Sequence, residues 1–142
     1  MTCDLNLEDC QYYDEGECRF DEADIPKTVA VDLDNTIFEL TEWKGQNHFG
    51  KPIEGVKQAL NQLREDGFEI IIWTTRFNEG KEGLKNISDL LEKHDIPFDY
   101  INYNPYQPPD MSQKLYADYY IDDRAIEFNG DWSEVVEKIN QK

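Results

Sequence analysis

Apolar positions along this chain fall into two spacings, and their alternation predicts the fold. Val29-Ala30-Val31 and Ile70-Ile71-Ile72 are short continuous apolar runs, the signature of strands covered on both faces. Between them, Ile53, Val56, Leu60 and Leu63 recur at helical spacing, with Pro52 at the expected start and Gly67 at the end. A second strand is expected over Phe68 to Trp73. A second helix is expected over about Glu82 to Lys93, burying Leu84, Ile87, Leu90 and Leu91. Phe98 to Tyr103 reads as a third strand, followed by a proline-rich loop from Asn104 to Pro109. Asp118 to Ile121 reads as a fourth, and Ala125 to Phe128 as a short fifth. A terminal helix carries Trp132, Val135, Val136 and Ile139 on one face. Strands alternating with helices imply an α/β, Rossmann-like three-layer fold with a mostly parallel central sheet. No interval is long enough for a separate cap domain.

The strand ends carry chemistry. Asp32-Leu33-Asp34-Asn35-Thr36 follows the first strand, and alternation puts Asp32 and Asp34 on one face with Leu33 on the other. Thr74-Thr75-Arg76 closes the second strand, and Asp122-Asp123-Arg124 closes the fourth, with Lys114 upstream of it. In open α/β sheets the carboxyl ends of the strands form the ligand crevice. Carboxylates gathered there repel unless a cation or a shared proton relieves them. Singly these motifs are turn formers or helix caps as often as sites. Their ordered set is more specific than any member.

From about Thr28 to its end the chain resembles the haloacid dehalogenase superfamily of phosphatases and phosphotransferases. Asp32 to Thr36 looks like that family's first motif, Thr74 its second, Lys114 its third and Asp122-Asp123 its fourth. The run from Lys114 to Ala125 is similar to a subgroup of small, capless members. Asn35 stands where many relatives have glycine, as suits a positive φ.

The resemblance implies a Mg²⁺-dependent phosphatase working through an aspartyl-phosphate. Asp32 would attack phosphorus, Asp34 would carry the proton, and Thr74 and Lys114 would bind the phosphate oxygens. Thr75 and Arg76 would lie beside the substrate; for Arg76 a surface salt bridge is the alternative. Mg²⁺ would be held by Asp32, Asp34 (through its backbone carbonyl), Asp122 and Asp123, the last also able to orient Lys114 or a metal-bound water. Arg124 reads as a structural ion-pairing residue.

Charge narrows the partners. The 142 residues carry a formal net charge of −17, which repels nucleic acid and anionic membranes. A small phosphorylated substrate such as a sugar phosphate or nucleotide is still accommodated, because a metal, Lys114, Arg76 and backbone N–H groups reverse the field locally. Two other readings compete: a nucleic-acid-end phosphatase, suggested by the open site, and a non-catalytic binding module. An open, capless site is also compatible with a homo-oligomer. The chain has no apolar run near the roughly 20 residues of a membrane span and no signal-peptide pattern, so a cytoplasmic protein is expected.

Residues 1–26 read as a separate acidic tail holding all three cysteines, Cys3, Cys10 and Cys18. Cys10 to Cys18 fits a small hairpin with Asp14 to Glu17 at its turn. Zinc on the cysteines, with His48, His94 or a tail carboxylate as fourth ligand, is not expected, because paired C-x₂-C knuckles are missing. The stretch from Ile37 to Gly50 lacks periodicity and reads as a turn and short flap. Its Trp43, His48 and Phe49 either line an entrance together with the 104–109 loop or pack against the sheet.

Overall fold

In the computed structural model, residues 25–45, 48–76, 80–108, 110 and 112–141 are described, together with the strand pieces 13–14 and 17–18. Strand β1 (Tyr13–Asp14) pairs antiparallel with β2 (Glu17–Cys18), Asp14 facing Glu17, as the hairpin reading expects. Cys3 and Cys10 lie outside the described residues.

Four strands form the main sheet. Strand β3 (Thr28–Val31) is followed by helix α1 (Val56–Glu65), β4 (Glu69–Ile72), helix α2 (Gly80–Lys93), β5 (Tyr100–Ile101), β6 (Tyr119–Ile121) and helix α3 (Trp132–Asn140). The strand order is β5-β4-β3-β6, every pair parallel. The α/β, Rossmann-like class expected from the apolar pattern is therefore the observed one, with no separate cap domain among the described residues. From β3 the chain steps outward to β4 and β5, then returns to lay β6 on the other side of β3. The order of connection thus reverses between β3 and β6, the position at which open α/β sheets bind their ligands.

Both faces of β3 and β4 are covered, which explains their unbroken apolar runs. Val29, Val31, Ile70 and Ile72 pack with Leu60 of α1 and Ile87 and Leu91 of α2. On the opposite face Ala30 and Ile71 meet Leu115 and Ala117, with Tyr100 at the margin. Tyr106 ties this second layer to the sheet by donating its hydroxyl to Glu69 Oε1 at 2.9 Å.

Several boundaries depart from the sequence expectation. Helix α1 starts at Val56 rather than Pro52: Gly55 sits at φ 87°, and Pro52 is bridged to Phe38 at the base of the flap. It ends as expected at Gly67, whose φ of 94° lets Phe68 N–H return to the Leu63 carbonyl. Leu84 is exposed on α2 rather than buried. Strand β5 is cut to two residues. Asp99 caps its start by accepting Ile70 N–H, and Asn102, at φ 53°, turns the chain away at its end. Residues 125–128 form no strand. Helix α3 forms where expected, with Asp131 Oδ1 accepting from Ser133 N–H and a Glu134–Lys138 pair at 2.9 Å. Its Trp132, Val136 and Ile139 face outward. No helix among the described residues is long and apolar enough to cross a membrane.

Candidate active site

Asp32 leaves the end of β3 with its backbone N–H donating to the Ile121 carbonyl of β6 at 2.9 Å. That bond joins the two strand ends at the reversal point and brings Asp32 beside Asp122 and Asp123. Carboxylate oxygens of the three all lie within 4.8 Å of one another. Asp32 is half-buried, whereas Asp122 and Asp123 are exposed. Thr36 donates its hydroxyl to Asp32 Oδ2 at 3.3 Å, and Asp122 Oδ1 accepts Arg124 N–H at 2.8 Å. Desolvation, a proton shared with Asp123 and the charge of Asp122 together push the Asp32 carboxyl up to about 7.

Three hard oxygen donors gathered at two adjoining strand ends could hold Mg²⁺, whose octahedral shell takes carboxylates and waters. The raised Asp32 carboxyl is what such a cluster shows when only protons offset its repulsion. A pH dependence follows. The ordinary Asp value is 3.8, so between about 4 and about 7 the metal-free folded state holds a proton that the unfolded chain has released. The associated stability is present below that window and is lost as pH rises through it. Thermal unfolding of metal-free protein should show this fall, and Asp32→Asn should flatten it. A window equally steep in the variant would place its origin elsewhere.

The other strand ends behave differently. Asp34 is not among the converging carboxylates. The chain bends into a turn after β3, with Leu33 buried and its carbonyl accepting Ile37 and Phe38 N–H, and Asn35 adopts the positive φ of 60°. Both Asp34 oxygens accept from Arg76, Oδ2 from Nε and Oδ1 from NH2, each at 2.7 Å. Arg76 is therefore neither a surface ion pair nor an exposed phosphate clamp: it is 2% exposed. Thr74 is buried, and its hydroxyl accepts Arg76 N–H at 3.1 Å, leaving its O–H proton to donate. Thr75 is exposed at the rim. Lys114 is also exposed; Gln107 Nε2 donates to its carbonyl, and its ammonium forms no ion pair among the described residues. The structure thus gathers Asp32, Asp122 and Asp123 but does not bring Lys114 within ion-pair reach of them.

Of the flap aromatics, Phe49 packs against the core, whereas Trp43 is 55% exposed. Phe49 stacks edge-on to Phe38, and the Arg76 guanidinium lies over the rings of Phe49 and Trp43. His94, weighed above as a metal ligand, packs against Phe38, while His48 is exposed.

The sequence reading missed Asn102. Its Oδ1 accepts Thr74 N–H at 2.8 Å and its Nδ2 donates to the Thr74 carbonyl at 3.0 Å. The side-chain amide thereby continues the β4 ladder past the end of β5 and holds Thr74 in place. The available signal was an Asn just past a short apolar run, a residue type that tolerates φ > 0. Asn102→Ala should cost roughly 1–3 kcal/mol, because the Thr74 amide loses both partners. A denaturant midpoint equal to the wild type would show that this clasp contributes nothing.

No protein-family model matches the chain, and no curated protein matches it. Among solved structures, it is similar to a conserved protein from Bacteroides thetaiotaomicron, with 28% identity and a TM-score of 0.58, covering 82% of this chain and 92% of that one. A Vibrio cholerae protein matches with 27% identity and a TM-score of 0.47, covering 81% of this chain and 98% of that one. A chain of a Pnkp1/Rnl/Hen1 complex matches at 20% identity with a TM-score of 0.46, covering 71% and 34%. The first of these relates the α/β arrangement to a solved fold.

Proposed function

We propose that this protein is a Mg²⁺-dependent phosphatase acting on a small phosphorylated metabolite through an aspartyl-phosphate on Asp32. The observation that carries this reading is the convergence of Asp32, Asp122 and Asp123 at the point where the strand order reverses. Asp32 is the most enclosed of the three and stands where a nucleophile is needed. Mg²⁺, when bound by these carboxylates, supplies the charge neutralisation that lets an anionic nucleophile approach an anionic phosphoryl group. The Asp32 carboxylate oxygen bonds to phosphorus as the bond from phosphorus to the leaving oxygen breaks, that oxygen taking a proton from Asp34 or water, and the Thr74 hydroxyl donates to a phosphate oxygen as its charge shifts; water then attacks phosphorus, freeing phosphate and the Asp32 carboxylate. Asn102 keeps that hydroxyl in register. Thr36 holds Asp32 in its attacking orientation. The net charge of −17 favours a small substrate over a polyanion.

Purified protein should release phosphate from 4-nitrophenyl phosphate in Mg²⁺ and stop when the metal is chelated. Activity undiminished by excess chelator would remove the metal from the mechanism. No release from this or any member of a broad panel of phosphorylated metabolites would leave the fold without this activity.

A further inference from the structure

Helix α3 carries an apolar stripe with nothing to bury it against. Trp132, Val135, Val136 and Ile139 recur at the i, i+3, i+4, i+7 spacing that makes one face of a helix, and such a face ordinarily lies on a core. Here no residue of α3 is buried: Trp132 is 70% exposed, and Val136 and Ile139 are 55% exposed. Phe128, also exposed, extends the stripe, its ring centre 4.9 Å from that of Trp132. The neighbouring end of the sheet is open in the same way. Strand β6 pairs with β3, and its outer edge has no partner strand among the described residues. Register puts Tyr119 and Ile121 beside Val29 and Val31, on the sheet face that α1 and α2 cover over β3 and β4. That cover stops short of β6, where Tyr119 is 56% and Ile121 42% exposed.

We infer that α3 and the open edge of β6 form the seam of a two-fold dimer, in which a second copy of this chain covers them. The area is of the right size. The six exposed side chains of α3, Phe128 and β6 leave on the order of 700 Å² in water, against the roughly 800 Å² that each partner of a standard interface buries. The surface is also self-complementary, as a two-fold contact requires. Two α3 helices laid antiparallel set Trp132 of one copy against Ile139 of the other, with the valines at the centre. The same arrangement brings the acidic first turn, with Asp131 and Glu134, to the last turn, with Lys138, and opposes the two helix dipoles. A cationic partner protein is the occupant that the net charge of −17 would otherwise suggest. The two occupants differ in their response to salt. Two copies carrying −17 each repel at long range, so screening tightens a dimer held by apolar contact. Screening loosens a complex held by opposite charge. The inference stands apart from the phosphatase reading.

The test is sedimentation equilibrium of the unmodified chain at concentrations up to about 100 µM, in about 0.05 M and about 0.5 M NaCl. The expected result is a monomer–dimer equilibrium whose Kd falls as salt rises. Trp132→Ala removes the most exposed aromatic of the seam and should raise Kd by about 30-fold or more, as loss of an aromatic hot spot does. Val136→Glu sets two carboxylates at the centre of the seam and should leave a monomer at every concentration. Neither side chain is buried within one chain, so both variants should keep the far-ultraviolet circular dichroism of the parent. A parent chain that stays monomeric in both salts would overturn the inference and leave a different protein as the cover. A dimer that Val136→Glu retains would place the seam elsewhere and overturn it as well. So would a dimer that dissociates as salt rises. Should Val136→Glu misfold, Trp132→Ala decides by the same criterion.

Discussion

Asp32→Asn should reduce phosphate release by roughly 10⁴-fold or more, because it removes the nucleophile and not merely a contact to the transition state. Asn keeps the volume of the side chain and can still accept the Thr36 hydroxyl, so the fold should survive. Relieving one of three crowded carboxylates should even stabilise the metal-free protein above neutral pH, where the repulsion around Asp32 is fully expressed. Loss of turnover paired with unchanged or raised thermal stability is the expected combination. A hydroxylamine-sensitive acyl phosphate should form on the wild type and be missing from the variant. Turnover near the wild-type rate would rule out the covalent route, whatever the reaction proved to be. Loss of turnover accompanied by unfolding would leave the role of Asp32 to the acyl-phosphate measurement.

Arg76→Ala carries the largest expected cost in stability, roughly 3–5 kcal/mol from removing one member of a buried ion pair. The variant strands the Asp34 carboxylate beside the flap and empties the space between Trp43 and Phe49. Asp34 retains some contact with solvent, which places the effect toward the lower end of that range. Arg76→Lys should recover only part of it, since an ammonium cannot engage both oxygens in one plane or spread over two rings. Urea denaturation of the three proteins measures this directly. If Ala and Lys unfolded at the wild-type midpoint, the fork would be a surface contact of little worth, contrary to its burial.

The legible part of this protein lies in patterns carried by neighbouring residues. Continuous apolar runs at Val29–Val31 and Ile70–Ile72 announced strands buried on two sides, since alternation would have appeared had one face met water. Helical spacing located α1 and α2, with Gly67 marking an end that requires positive φ. Asp32, Thr74 and Asp122 could be placed at strand ends because each directly follows an apolar run, and Asp123 comes next to Asp122. Register did the rest: parallel β3 and β6 put two of those ends side by side.

What only the tertiary structure decided involves partners far apart in the chain. The pairing of Asp34 with Arg76 spans 42 positions, and the clasp of Asn102 on Thr74 spans 28. In the linear text an Asp two residues after Asp32 reads as its functional companion. In space the turn after β3 directs it to a guanidinium instead. Burial of Arg76 depends on Trp43 and Phe49, which belong to a segment with no periodicity to read. Leu84 shows the same limit, because helical spacing defines a stripe but not how much of it the sheet covers. Local sequence sets backbone preference and the direction of each side chain along its own element. Which distant group meets that side chain is set by how the elements pack.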